Sequence, residues 1–180
     1  MKTSVKNSKR DSDFNYLKGL HCRDSYEDRC FAEIKYTGGR ILMVSLIIGH
    51  KGTGKTKHLI DEVNKAMEAS NGNVICIEKG SKLTYDINSR VRLVSADDFA
   101  ISGYDTYYGF LAGMCAGDSD ITDILADGTL KIGGEPGPEL VEFLESVKRL
   151  GDATDTKFTF TLSADEEDLP KEIFFSCEKI

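Results

Sequence analysis

Gly49-His50-Lys51-Gly52-Thr53-Gly54-Lys55-Thr56 is the stretch on which the reading of this chain turns. Two glycines bracket four residues and are followed by Lys and Thr, the spacing of a loop that binds phosphate through its main chain. Upstream, Met43-Val44-Ser45-Leu46-Ile47-Ile48 is a short apolar run suited to a buried parallel strand. Downstream, residues 57–70 predict a helix, with Leu59, Ile60, Val63, Ala66 and Met67 on one face. Strand, glycine loop and helix form the context that the chemistry needs.

Glycines at 49, 52 and 54 permit backbone conformations closed to other residues, so the loop can turn its amide hydrogens inward. Those amides and the positive end of the following helix are expected to hold the phosphates of a nucleotide. The expected binding set is Gly49, His50, Lys51, Gly52, Thr53, Gly54, Lys55 and Thr56. Lys55 would reach the β- and γ-phosphates as a point charge, and the Thr56 hydroxyl would ligate Mg²⁺. The competing reading is a glycine-rich turn that merely precedes a helix; both flanks argue against it.

Length and composition set the frame. The 180 residues suit one domain with an appendage, and a 40% hydrophobic content supports an ordinary core. No apolar run approaches a membrane span, and no apolar segment follows the N-terminal lysines as a secretory signal requires. Five cysteines, at 22, 30, 76, 115 and 177, are odd in number and irregularly spaced. Cys76 falls in an apolar run and reads as a small buried thiol. Cys22 and Cys30 beside His21 lack a second pair and do not make a zinc pattern. A reducing, cytoplasmic location is the expectation.

Charge is informative once divided. Residues 1–42 carry nine Lys/Arg and six Asp/Glu, and the remainder carries 14 against 24. So acidic a core disfavours nucleic acid as a partner, because phosphate backbones call for clustered cations. The first 42 residues are polar, lack periodicity and end near the breaker cluster Tyr36-Thr37-Gly38-Gly39-Arg40. They are expected to be an extension, either disordered or a docking segment, or else a translated leader ahead of a start at Met43. Residues 43–180 then form the nucleotide-binding domain.

Along that domain, Asn71-Gly72 predicts a helix stop, Val74–Ile77 a second strand ending at Glu78, and Val91–Val94 a third. A helix follows Ser102-Gly103 with Asp105 as its cap, carrying Tyr107, Tyr108, Phe110, Leu111, Met114 and Cys115. Ile121–Ala126 is a strand ending at Asp127, where a carboxylate can hold Mg²⁺ opposite the glycine loop. An Asp-Gly turn without a metal is the alternative there. A long loop through Gly133 and Gly137 precedes a helix begun by Pro138, burying Leu140, Phe143, Leu144 and Val147 and stopping at Gly151. Phe158, Phe160 and Leu162 alternate with polar residues as a last strand, and a turn or helix begun by Pro170 closes the chain. Alternating strands and helices predict an α/β fold, a mainly parallel sheet flanked by helices. Gly49, Glu78, Asp127 and Ser163 would then share the carboxyl edge of the sheet, where such folds bind ligands.

From Met43 onward the chain resembles the P-loop NTPases. More narrowly, it is similar to small bacterial ATP-binding proteins often labelled twitching-motility ATPases. The resemblance rests on residues 47–56, Tyr108-Gly109-Phe110-Leu111-Ala112-Gly113, Ile124-Leu125-Ala126-Asp127-Gly128 and Thr161-Leu162-Ser163-Ala164-Asp165. It implies the P-loop fold, ATP and Mg²⁺ as cofactors, and an ATP hydrolase. True pilus-retraction motors have longer chains and histidine motifs, whereas the histidines here are His21, His50 and His58. Motor activity is therefore not implied.

Hydrolysis needs a group that positions water. Gly128 follows Asp127 where many ATPases have Glu, so Glu78, in a place resembling that of the catalytic Glu in recombinase-like ATPases, is the candidate beside Lys55. Arg90, Arg92 and Arg149 are candidate trans-acting fingers in a homo-oligomer. The expected function is a slow Mg-dependent ATPase working with an unknown protein partner. A small-molecule or nucleotide kinase is the first alternative, against which stands the scarcity of arginines after Arg92. A non-hydrolytic nucleotide-dependent adaptor is the second. A GTPase is disfavoured, since Asn64-Lys65 runs into Ala66-Met67 instead of a base-reading motif.

Overall fold

Apolar residues recur with period two along the strands, and each phase meets a different layer of helices. The computed structural model describes residues 42–180. The expectations for the leading segment, including His21, Cys22 and Cys30, lie outside the described residues. Six strands form one all-parallel sheet in the order β3-β2-β4-β5-β1-β6. They are β1 (Val44–Ile48), β2 (Asn73–Glu78), β3 (Arg92–Ser95), β4 (Ile121–Ala126), β5 (Lys157–Leu162) and β6 (Glu178–Lys179). The helices are α1 (Lys55–Ala69), α2 (Tyr104–Gly117), α3 (Thr129–Gly133), α4 (Pro138–Thr154) and α5 (Ile173–Ser176). An α/β fold with a parallel sheet between helices is what the periodicity predicted.

On one face Val44, Leu46, Ile75, Ile77, Ile124, Phe158 and Phe160 pack against α2, α4 and α5. On the other, Ile47, Val74, Cys76 and Leu125 pack against Leu59 and Val63 of α1. Both faces are covered, as parallel strands require. The chain leaving β1 thus goes to one face, and the chains leaving β4 and β5 go to the other. A crevice opens at such a reversal, at the carboxyl ends of the strands.

Four local expectations are corrected. Helix α2 starts at Tyr104, with Gly103 (φ 86°) in the cap position and Asp105 inside the first turn. Burial of Tyr104 against Phe143 draws the helix start back to that residue. Helix α4 runs through Gly151 to Thr154 and ends at Asp155 in the left-handed region (φ 55°). Gly151 is there for close packing: a Cβ would stand 2.7 Å from the Thr156 carbonyl oxygen and 3.0 Å from Met43 Cβ. The presumed loop before Pro138 contains the short helix α3. Beyond Pro170 the chain forms α5 and then adds the edge strand β6, whose two exposed residues carry no apolar signal.

The described cysteines are buried thiols, and burial pushes Cys76 and Cys177 up to about 12 and raises Cys115. Thiolate, the reactive form, is therefore scarce at neutral pH. Peptide mapping after iodoacetamide treatment should find Cys76 and Cys177 unlabelled in folded protein and labelled in denaturant. Labelling at equal rates in both states would contradict the packing described.

Candidate functional site

The loop between β1 and α1 reaches its shape through glycine. Gly52 (φ 94°) and Gly54 (φ 88°) lie in the left-handed region, and a Cβ on either would meet no atom within 4 Å. Backbone conformation, not space, demands glycine there. The loop is closed internally by Thr53, whose amide and hydroxyl both donate to the His50 carbonyl, at 3.3 and 2.9 Å. It is tied to the sheet by the Gly49 amide donating to the Leu162 carbonyl at 3.2 Å.

Helix α1 begins at Lys55 with no side-chain cap and no acidic residue in its first turn. The His58 amide bonds the Gly54 carbonyl at 3.0 Å. Amides of the preceding residues have no acceptor within the helix and carry its positive end. Lys55 is largely buried, and its ammonium donates to the carbonyls of Gly49 (2.6 Å) and His50 (2.5 Å). Burial holds its pKa below the ordinary lysine value; Asp127 opposes that shift and Lys131 adds to it.

Asp127 comes from β4, with β5 lying between that strand and β1. Its amide bonds the Ile77 carbonyl at 2.8 Å, which fixes the end of the strand. The Thr161 hydroxyl donates to Asp127 Oδ1 at 2.9 Å and accepts from the Gly128 amide at 2.7 Å. The Thr56 hydroxyl faces the same carboxylate, at 3.3 and 3.4 Å from its two oxygens. Lys55, Thr56 and Asp127, 71 residues apart at the threonine–aspartate contact, therefore converge. Thr161 carries part of the family resemblance but has no role readable from the sequence, because alternation along β5 marks only its apolar face.

Other predicted residues are placed differently. Glu78 ends β2 at the same edge of the sheet but is buried. Its carboxylate accepts from the amides of Lys82 (2.7 Å) and Leu83 (3.1 and 3.2 Å), and so caps the turn that follows. His50 is exposed and pairs with Asp165 after β5 at 2.5 Å, joining the glycine loop to its neighbouring loop. Lys51 is exposed. Arg90 and Arg92 stand at the start of β3, the opposite edge of the sheet. Arg149 lies in the second half of α4, which runs toward that same edge, and meets Ser146 and Glu145.

Among the described residues, no group of three His, Cys, Asp or Glu is arranged to hold a metal by itself. The oxygens of Thr56 and Asp127 are hard donors that suit Mg²⁺, which commonly takes one or two protein ligands and completes its shell with phosphate and water. A separate cleft of about 510 Å³ lies between the start of α2 and α4, lined in part by Asp105, Glu139 and Glu142. Its carboxylates would repel phosphate, so the glycine loop is the stronger anion site. No helix among the described residues is long and apolar enough to cross a membrane. Comparison with protein-family models gives no match, and comparison with curated proteins gives none either.

Proposed function

We propose that this chain is a P-loop nucleotide-binding protein that holds ATP with Mg²⁺ and hydrolyses it slowly. The observation that carries this reading is the convergence of Lys55, Thr56 and Asp127 beside an uncapped helix start. Support for the P-loop fold comes from the parallel sheet, the glycine loop between β1 and α1, and the reversal of connections beside β1, where such folds bind ligands. The spacing of residues 49–56, which resembles that of the P-loop NTPases, points the same way.

The loop amides and the first turn of α1 would take the phosphates, with Lys55 exchanging its two carbonyl partners for phosphate oxygens. Thr56 directly and Asp127 through water would hold Mg²⁺, which when bound neutralises charge on those oxygens. Thr161 keeps the Asp127 carboxylate oriented. Slow turnover follows from the state of Glu78. A carboxylate already accepting two main-chain hydrogen bonds is a poor acceptor for the proton of water. Hydrolysis would require the turn at residues 81–83 to release it. That same engagement favours, as a second reading, a nucleotide-dependent adaptor that keeps ATP intact.

Titrating MgATP into the full chain by calorimetry should give saturable binding that EDTA weakens without abolishing. Single-turnover decay of labelled ATP without added acceptor indicates the ATPase. Decay only with an acceptor indicates a kinase, and persistence of bound ATP the adaptor. Absence of any saturable heat would sink the reading as a whole.

A further inference from the structure

We propose that Lys131 is a second phosphate-binding cation of the glycine-loop site, directed at the terminal phosphate of a bound nucleoside triphosphate. The inference rests on the nucleotide reading above. It begins from the placement of α3, which starts two residues after Asp127 at the carboxyl end of β4. The Lys131 amide bonds the Gly128 carbonyl at 2.8 Å, closing the first turn of α3 on the residue that follows Asp127. Its side chain follows: a Cβ placed on Gly128 would have Lys131 Cδ at 3.5 Å and Nζ at 3.9 Å. Gly128 is the residue whose amide anchors Thr161, and Thr161 in turn donates to Asp127. The ammonium thus lies beside Gly128, the residue that follows the carboxylate facing Thr56.

Charge makes this placement informative. Lys131 is exposed, and no carboxylate among the described residues lies within ion-pair distance of it. Lys131 lies near enough to Lys55 to push its pKa down, against the upward pull of Asp127. Two ammonium groups against one carboxylate leave a positive excess, which an anion would relieve. The two cations approach from different sides. Lys55 rises from the first turn of α1 beneath the loop, and Lys131 comes from beyond β5, past the metal-binding pair. A chain of phosphates seated in the loop and running past Thr56 and Asp127 would bring its far end to Lys131. Arg90, Arg92 and Arg149 stand toward the opposite edge of the sheet, so within one chain they do not reach the terminal phosphate.

The test compares MgATP and MgADP binding to full-length wild type, Lys131→Ala, Lys131→Gln and Lys131→Arg by calorimetry, with thermal melts as a control. Loss of one charge-assisted contact should weaken MgATP about tenfold in the Ala and Gln variants. MgADP affinity should stay within about twofold, the Arg variant should recover most of the loss, and melting should be unchanged. Equal weakening of both nucleotides, or unaltered MgATP affinity in Lys131→Ala, overturns the proposal while leaving nucleotide binding intact. Wild type that binds neither nucleotide overturns both.

Discussion

Replacing Lys55 by alanine is expected to lower MgATP affinity at least about a hundredfold, since two or more charge-assisted hydrogen bonds to phosphate are lost together. The effect is large because the ammonium is already in the right place. It is held inside the loop by the carbonyls of Gly49 and His50, which only have to release it. Folding should be little affected, since the His50 end of the loop is exposed and its freed carbonyl can take water. Calorimetry and a melting curve measured on one preparation separate the two quantities. The sign of the pH dependence follows from the same burial. Desolvation places the Lys55 pKa below 10.5 in the free protein, so the ammonium is lost at a less alkaline pH than an ordinary lysine. MgATP affinity should accordingly be full at neutral pH and decline as pH rises through that lowered pKa. A Lys55→Ala variant that retains wild-type affinity would remove the site from consideration.

Phe160→Ala should be the most damaging core substitution at this sheet. Phe160 is fully buried in β5 and meets three rings, Tyr107 at 6.2 Å, Phe143 at 5.6 Å and Phe158 at 6.2 Å between centroids. Truncating such a ring costs about 3–5 kcal/mol, through lost burial and the cavity left behind. That is a large share of the roughly 5–15 kcal/mol that stabilises a typical domain. At about 2–4 °C per kcal/mol for a chain of this size, the midpoint should fall by at least about 6 °C. Phe160→Leu keeps most of the volume and should cost much less. Because Thr161 is the next residue and orients Asp127, the alanine variant should also weaken Mg²⁺-dependent binding before it unfolds. A midpoint shift below about 2 °C in Phe160→Ala would show that the aromatic cluster is not the keystone of this face.

Much of the fold was legible because its signals are local. The run 43–48, the helix face of Leu59 and Val63, and the alternation of Phe158, Phe160 and Leu162 each state a period that one element satisfies. The glycine loop was legible for the same reason, as its spacing is a property of adjacent residues. Misread segments were those whose conformation depends on distant partners. Asp105 has the composition of a helix cap, yet Tyr104 had to be buried on Phe143, and that decided where α2 begins. Gly151 has the composition of a helix stop, yet it lies in the interior of α4 because the turn at Thr156 passes so close.

The site divides along the same line. Chain order alone determined that Lys55 and Thr56 stand at a helix start behind a strand, and that Asp127 ends another strand. Only the tertiary structure decided that these groups meet, since contact between residues 56 and 127 depends on strand order, and strand order leaves no trace in local spacing. It also decided that Thr161 holds Asp127, that Glu78 spends its carboxylate on the turn at Lys82 and Leu83, and that the Lys131 side chain lies beside Gly128. The physical reason is range. Backbone preference and hydrophobic period act over a few residues, whereas hydrogen bonding between side chains is settled by how the sheet and its helices assemble.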